Sequence, residues 1–211
     1  MIGALSLLRH KPEHMVEQFR HHWRHVHGPL AAELHGVRRY VQSHFDPDDA
    51  LTNAFARTLP VDGLAAISFD NEEDRSICYA SRQEEICDVD SLLFIGASAR
   101  YVTDVSILVP GIQTSDACKA VLLITPAAPD LTRWIGDIAL RAGVAELIAH
   151  QVTAPGATPT QARRQIDLPL RAIIEVSAVD HSALAGCIET LPAGHGDMSI
   201  AVFRAKAHRI V

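Results

Sequence analysis

The sequence predicts an α+β fold built from two tandem ferredoxin-like repeats, each with the element order βαββαβ. Three observations predict it: the chain has 211 residues, the same order of strand and helix patterns occurs twice, and a long loop with proline and glycine takes the same place both times. We expect the first repeat at residues 1–110 and the second at 117–211, with a linker at 110–117.

Strands are expected where short apolar or alternating runs are bounded by polar residues, and helices where apolar residues recur at helical spacing. The first repeat should have strands at 2–8, 37–45, 63–69 and 101–109. Its first helix should begin at Pro12 and end near Gly28-Pro29, and its second helical region, 71–94, should break near Asp88. The second repeat should have strands at 120–124, 144–152, 171–179 and 199–207, and helices at 130–141 and 180–191, the last one capped by Asp180.

The first helix should bury one apolar face. Met15, Phe19, Val26 and Leu30 follow one another at spacings of four, seven and four residues, which is a helical period. A four-stranded sheet with helices on one side leaves its other side bare, and large bare apolar faces become interfaces. We therefore expect the two repeats to pair their sheets face to face; the alternative is two such units lying side by side.

Composition narrows the functional classes. The formal net charge is −6, and no dense stripe of Lys and Arg occurs, so nucleic acid is not an expected partner. No apolar run is long enough to cross a bilayer, and the N-terminus does not resemble a signal peptide, so we expect a cytoplasmic protein without a membrane partner. The cysteines lack disulfide or zinc spacing and are expected to be reduced: Cys78, Cys87, Cys118 and Cys187.

Histidines cluster near the N-terminus, where eight of the twelve lie within the first 44 residues. His21 and His25 should point away from the apolar face, whereas His22 and Trp23 should flank it. His27, at the helix end, either reaches a cavity between helix and sheet or caps the last carbonyls of the helix. The full group is His10, His14, His21, His22, His25, His27, His35 and His44.

A polar strand face follows this helix. Tyr40, Gln42 and His44 share one face at period two, and that face either meets solvent or lines a polar cavity. Asp62 either orients a histidine or simply begins the next strand. The pair His21 and His25 could chelate a metal, but no acidic residue or cysteine completes a ligand set at obvious spacing, so no metal is expected.

These residues carry a family resemblance. The segment 17–30, EQFRHHWRHVHGPL, resembles the first-helix signature of the EthD family, F-R-x-x-W-x-x-x-H-x-P-L. The segment 36–44, GVRRYVQSH, resembles that family's second strand, G-x-x-x-Y-x-Q-x-H, and Asp62-Gly63 matches a D-G pair before the third strand. The resemblance covers about residues 1–110, and the second repeat has no counterpart of the helix signature.

The resemblance implies the dimeric α/β-barrel superfamily, so the two repeats would form an intramolecular barrel, a pseudo-dimer with one competent site. It also implies a lyase or isomerase that needs no cofactor: an isomerase, dehydratase or cyclase of a cyclic or polyketide-like carbonyl compound. His27, Tyr40 and His44 would be catalytic, with His27 and His44 as complementary acid and base and Tyr40 polarising the carbonyl. His22, Trp23, Gln42 and Asp62 would bind the substrate.

Two alternatives stay open. The same cavity could belong to a ligand-binding or accessory protein, because fold does not fix function. It could also belong to a monooxygenase-like enzyme of the same superfamily, with or without haem. Apart from the small-molecule substrate, the partner that we consider is a second copy of the chain, in a homodimer.

Overall fold

A computed structural model describes residues 1–111, 118–156, 164–192 and 199–211. Within these ranges the strands are β1 Ile2–His10, β2 Arg39–Asp46, β3 Gly63–Phe69, β4 Ile95–Val109, β5 Cys118–Ile124, β6 Val144–Pro155, β7 Arg164–Gln165, β8 Ala172–Ala178 and β9 Ile200–Arg209. The α-helices are α1 Val16–His22, α2 Gly28–Ala32, α3 Ala54–Thr58, α4 Glu72–Tyr79, α5 Arg82–Phe94, α6 Thr132–Ala139 and α7 His181–Ile188, and a π-helical turn, Trp23–His27, joins α1 to α2.

Eight of the described strands close into a barrel. Their order is β1-β3-β2-β9-β5-β8-β6-β4, and β4 pairs with β1 to complete the ring, while β7 adds to the edge of β4. Closure removes exposed sheet edges. The expected α+β class and barrel are confirmed at this level.

The strands before and after the linker are arranged alike. In each set the strand order is fourth, first, third and second: β4-β1-β3-β2, and then β9-β5-β8-β6. The two sets meet where β2 pairs with β9 and where β4 pairs with β6, so the joins are made edge to edge by backbone hydrogen bonds. The sheets therefore continue into each other and do not merely lie side by side.

Alternate residues of each strand point into the barrel. Much of this lumen is apolar, and the rings of Phe45 and Phe203 stack there with centroids 4.1 Å apart. The lumen also holds an ion-pair cluster, which we call the lumen network: Arg39, Lys119, Glu146, His150 and Glu175. The helices cover the outer faces of the sheets, and the candidate site lies on one such outer face.

Several predicted boundaries are wrong. The first helix begins at Val16 and not at Pro12, and the second helical region breaks at 80–81 and not near Asp88. That break follows from local capping, because the Ser81 side chain accepts the Glu84 N–H and starts a new helix. Most of the predicted linker, 112–117, and part of the second long loop lie outside the described residues. Among the helices that the structure describes, none is long and apolar enough to cross a membrane.

Candidate active site

The first helix buries only part of the predicted apolar face, Phe19 fully and Leu30 partly. Phe19 and Trp23 are buried, whereas Met15 is 68% exposed and Val26 is 42% exposed. Met15 precedes the helix as its N-cap residue. The π-helical turn explains why Val26 is exposed. The Gly28 N–H bonds back five residues to the Trp23 carbonyl, so this turn is wider than an α-helical turn. It places His27, and not Val26, on the inward side of the helix.

Trp23 is the wedge between this helix and the sheet. Its ring stacks flat on His44, with centroids 4.6 Å apart and planes 4° apart. On β3, a side chain at Gly63 would come within 2.6 Å of the Trp23 ring, so the glycine leaves room for the indole. The indole N–H donates to the Tyr40 hydroxyl at 3.1 Å. Trp23 therefore separates His44 on one side from Tyr40 and His27 on the other.

The Tyr40 hydroxyl is held in a defined orientation. It accepts hydrogen bonds from Trp23 Nε1 and from Gln42 Nε2 at 3.0 Å, and Gln42 Nε2 also donates to the Trp23 carbonyl at 2.8 Å. Burial raises the pKa of Tyr40 to about 12, so the phenol keeps its proton. With both lone pairs engaged and no acceptor among the described residues, this O–H is available to a ligand oxygen in the cavity that Tyr40 lines.

His27 is coupled to a carboxylate that the sequence did not reveal. Its Nδ1 lies 2.9 Å from Asp90 Oδ2, and His22 Nε2 lies 3.0 Å from Asp90 Oδ1. Burial would raise the pKa of Asp90, but the hydrogen bonds from His27 and His22 hold it below its ordinary value, so Asp90 stays ionised. An ionised Asp90 accepts the His27 Nδ1–H and leaves Nε2 as the basic nitrogen, with no partner among the described residues.

A cavity of about 90 Å³ lies between these helices and the outer face of the first sheet. His27 and Tyr40 line it, and partly exposed polar residues such as Arg100 line it as well. The buried thiols in its wall have raised pKa values, about 11 for Cys78 and about 12 for Cys87, so they are protonated and poor nucleophiles. The lining comprises Ser6, Leu8, Trp23, His27, Ala31, Leu34, Tyr40, Ala65, Ile67, Phe69, Cys78, Tyr79, Glu84, Cys87, Asp88, Ser91, Ile95 and Arg100.

The predicted site residues divide into two groups. Trp23, His27 and Tyr40 line the cavity. Gln42 is hydrogen-bonded to Tyr40, and His22 is hydrogen-bonded to Asp90. The expected pairing of His27 with His44 is wrong, because the indole of Trp23 lies against His44, and His44 lines a different hollow.

Asp62 does not line the cavity. Its carboxylate bonds Arg9 Nη1 at 2.7 Å, and it bonds both the backbone N–H of His10 at 2.7 Å and its ring Nδ1 at 2.6 Å. These contacts hold the end of β1 beside the start of β3. The expected substrate-binding role of Asp62 is therefore replaced by an anchoring role.

The histidine pair considered as a metal ligand set is incomplete. The rings of His21 and His25 lie 4.9 Å apart on the exposed side of the helix. In the part of the chain that the structure describes, no group of three or more His, Cys, Asp or Glu side chains is placed to hold a metal ion.

The EthD domain family model matches residues 11–85, which confirms the resemblance for that segment. The chain matches no curated protein sequence. Among solved structures, it is similar to an anthrone oxidase-like protein, with 11% identity, a TM-score of 0.58, and coverage of 99% of this chain and 93% of that one.

Two further similar structures are named as candidate monooxygenases. The one from Fusobacterium nucleatum subsp. nucleatum has 9% identity and a TM-score of 0.63, covering 98% of this chain and 91% of that one. The one from Lactobacillus acidophilus has 11% identity and a TM-score of 0.53, covering 100% of this chain and 94% of that one. At such identities the likeness establishes the fold.

The names of these structures correct the functional expectation. All three are oxidase or monooxygenase names, and none of the three is an isomerase, dehydratase or cyclase name. These names contradict the expected lyase or isomerase and agree better with the monooxygenase alternative.

Proposed function

We propose that the chain, whose residues 11–85 match an EthD domain, is a monooxygenase-like enzyme for a small aromatic or enolisable carbonyl compound. One observation carries the proposal: the basic Nε2 of an Asp90-bound His27 and the O–H of Tyr40 belong to side chains that line one cavity. The oxidase and monooxygenase names of the similar structures support this class of reaction.

The residues supply what such a reaction needs from a protein. His27 Nε2 takes a proton from the activated carbon of the substrate, and Asp90 stabilises the imidazolium that forms. The Tyr40 O–H donates to the substrate oxygen on which negative charge develops. The resulting electron-rich anion then reacts with O₂.

The reaction balances without an external reductant. For an activated CH₂ group, two C–H bonds break and one C=O bond forms, while O₂ gives one oxygen to the carbonyl and the other to water. The substrate supplies all four electrons. A cavity of about 90 Å³ admits O₂ and the reacting end of the substrate, with the remainder at the partly exposed side near Arg100.

A haem-dependent version fits the site poorly. A histidine whose Nδ1 is bonded to a carboxylate is a good axial ligand through Nε2. However, a porphyrin is far larger than the cavity beside His27, and the wall is formed by packed side chains such as Phe69 and Ile95. Haem therefore has no part in the reaction that we propose.

Oxygen consumption tests the proposal. Purified protein in air should oxidise anthrone or a related activated CH₂ compound, with O₂ uptake and a carbonyl product that is seen by absorbance. His27→Ala and Tyr40→Phe should each lower kcat by about 10²–10³-fold, because each removes one group that acts on the transition state.

His21→Ala is the matched control, because His21 lies on the same helix with its side chain exposed. It should keep the full rate. Folded His27→Ala and Tyr40→Phe variants with undiminished rates would refute the assignment, as would an absence of O₂ uptake with every activated CH₂ or phenolic compound tried. A Soret band that forms on adding haem, with activity that requires it, would overturn the cofactor-free version.

We also propose that the two strand sets are tandem ferredoxin-like repeats, 1–110 and 117–211, with the competent site in the first. The matching strand orders support this. In the second set, the space between helices and sheet is filled by a buried apolar cluster that includes Trp134, Ile138 and Leu184. A cytoplasmic location fits the four free cysteines.

A further inference from the structure

A second hollow, of about 370 Å³, lies on the far side of Trp23 from the candidate active site. The first helix and the π-helical turn form one wall, and the junction of β2 with β9 forms the other, where His44 lies opposite Lys206. We call it the basic hollow. Its lining residues are Arg20, His21, Arg24, His25, His44, Asp46, Lys206 and His208.

The charge of the basic hollow is opposite to that of the protein. The chain has a formal net charge of −6, yet this lining holds three permanent cations and four imidazoles against a single carboxylate, that of Asp46. That carboxylate accepts the backbone N–H of Asp48 at 3.1 Å. Within the described residues, Arg24 and Lys206 have no carboxylate partner. Like charges gathered in this way repel one another unless an anion joins them.

One buried donor beside the hollow, the Nε of Arg20, is also left without an acceptor among the described residues. Arg20 gives one Nη to Glu17 at 3.0 Å and the other to the Phe45 carbonyl at 2.6 Å, but its Nε is buried and unpartnered among the described residues. Buried donors without partners cost free energy and need an acceptor to recover it. Each Nη of Arg20 also keeps a second N–H, which a guanidinium held by these two bonds can present to an oxyanion.

The cations of the hollow also affect the pKa values of two of its histidines, His44 and His208. His44 is 5% exposed, and its Nε2–H donates to Gln42 Oε1 at 3.3 Å. Burial, followed by electrostatic repulsion from His208, Arg20, Arg24 and Lys206, lowers the pKa of His44 to about 3. Burial, followed by the cations Arg24 and Lys206, lowers the pKa of His208 to about 4. Both rings are neutral at neutral pH and can donate or accept hydrogen bonds without adding to the repulsion.

We propose that the basic hollow binds the phosphate group of a small organic phosphate. A dianionic tetrahedral group matches the three cations of this lining, Arg20 and Arg24 from the first helix and the π-helical turn and Lys206 from β9, and Arg with Lys is a common combination for phosphate. The hollow is larger than a free phosphate ion, which leaves room for an organic part. A nucleic acid would need a basic stripe, and this basic region is one confined hollow in an acidic chain.

Calorimetric titration tests the proposal. The probes are inorganic phosphate, phenyl phosphate and uncharged phenol, at pH 7 in about 150 mM NaCl so that weak surface contacts are screened. We expect one site per chain, tighter binding of phenyl phosphate than of inorganic phosphate, and no binding of phenol in the hollow. Arg24→Ala/Lys206→Ala should weaken phenyl phosphate binding at least about tenfold, which is the effect of losing two charge-assisted contacts.

The control is Arg82→Ala/Arg133→Ala, which removes the same charge from exposed cations outside the hollow. It should leave the affinity within about twofold of the original protein, which corresponds to a change under about 0.5 kcal/mol. Equal weakening in both double variants would overturn the proposal, because only net charge would then matter. So would phenol displacing phenyl phosphate, inorganic phosphate binding more tightly than phenyl phosphate, or no phosphate binding at all.

Discussion

At the scale of single residues, Asp90 is the group on which the candidate chemistry most depends. One carboxylate bonds two histidines, and it fixes which nitrogen of His27 is basic. Asp90→Asn keeps the shape of the side chain but removes the charge that stabilises an imidazolium. We expect O₂ uptake to fall by about 10²–10⁴-fold, with thermal stability little changed.

Asp137→Asn is the control, since the side chain of Asp137 is 72% exposed on α6. It should keep the full rate. If Asp90→Asn also keeps the full rate, His27 does not need its carboxylate, and the acid–base assignment must be abandoned.

The sequence predicted His27, Tyr40 and Trp23 in the site but not Asp90, and it misplaced His44. Period two puts Tyr40, Gln42 and His44 on one face of β2, and the structure agrees. What the period cannot show is which side chain covers each of them, and the indole of Trp23 divides that face into two hollows. Asp90 could have been suspected, because it adjoins the buried residues Cys87 and Ser91 on α5.

His44 and His208 should make stability fall in mild acid. Both have folded pKa values, about 3 and about 4, below the ordinary histidine value of 6.5, so the unfolded chain binds protons that the folded one does not. Stability is therefore complete above about pH 6.5 and is lost as pH falls toward 4. For His44 the slope approaches about 1.4 kcal/mol per pH unit, and His208, which is more exposed, adds less.

Urea unfolding in phosphate-free buffer, repeated between pH 7.5 and pH 4.5, measures this slope. His44→Gln/His208→Gln should flatten it, and His21→Gln/His25→Gln, which changes two exposed imidazoles of the same hollow, should not. An unchanged slope in the first double variant would show that neither ring resists protonation in the folded protein.

At the scale of elements, the Asp62-Gly63 pair joins β3 to its neighbours in two ways. Asp62 anchors the end of β1, and Gly63 leaves room for Trp23. A Cβ at Gly63 would lie 2.6 Å from both the Trp23 ring and the Ser43 carbonyl oxygen, and the carbonyl cannot easily move. Gly63→Ala should destabilise the protein by about 1–3 kcal/mol through overpacking.

Gly136→Ala is the matched control. A Cβ there meets nothing within 4 Å, and Gly136 lies inside α6, so alanine should stabilise by up to about 1 kcal/mol. Thermal unfolding of the two variants should therefore shift in opposite directions. A Gly63→Ala variant as stable as the original protein would mean that Trp23 is not wedged against β3.

The sequence predicted some element boundaries closely and others poorly, since β4 begins at Ile95 and not at residue 101. β3 was predicted with its observed bounds, because its short apolar run is typical of a strand and the Asp62-Gly63 pair marks where it begins. The π-helical turn could not be predicted, since apolar spacing assumes regular α-helical winding, and this turn moved Val26 outward. The break between α4 and α5 depended on the Ser81 side chain and not on the apolar pattern.

At the scale of the whole molecule, the lumen network joins the strands that precede the linker to those that follow it. Arg39 of β2 donates to Glu146 of β6 at 2.7 Å. Lys119 donates to Glu175, which also lies 2.9 Å from His150 Nε2. Burial would raise the pKa of Glu175, but Lys119, His150 and Arg39 hold it well below its usual range, so the pair is ionised inside the barrel.

A double-mutant cycle tests whether this buried pair acts as a unit. Glu175→Gln leaves the Lys119 ammonium buried without its carboxylate, and Lys119→Met leaves that carboxylate with His150 and Arg39 as its cationic neighbours among the described residues, so each change should cost about 3–5 kcal/mol. Lys119→Met/Glu175→Gln should cost clearly less than the sum, because no unpaired charge then stays in the lumen. Additive losses in urea unfolding would show that the two charges do not stabilise each other.

The lumen network and the histidines of the basic hollow should lose their contributions to stability in different pH ranges. Because the folded pKa of Glu175 lies below its unfolded value of about 4.5, its contribution is present above that pH and is lost as pH falls further. His44→Gln/His208→Gln should therefore flatten the loss of stability between about pH 6.5 and pH 4.5 and leave the steeper loss below pH 4.5.

Since the lumen network bonds strands from both sides of the linker, unfolding below pH 4.5 should be a single transition for the whole barrel. Two separate transitions there would mean that the halves are not held together by these ion pairs.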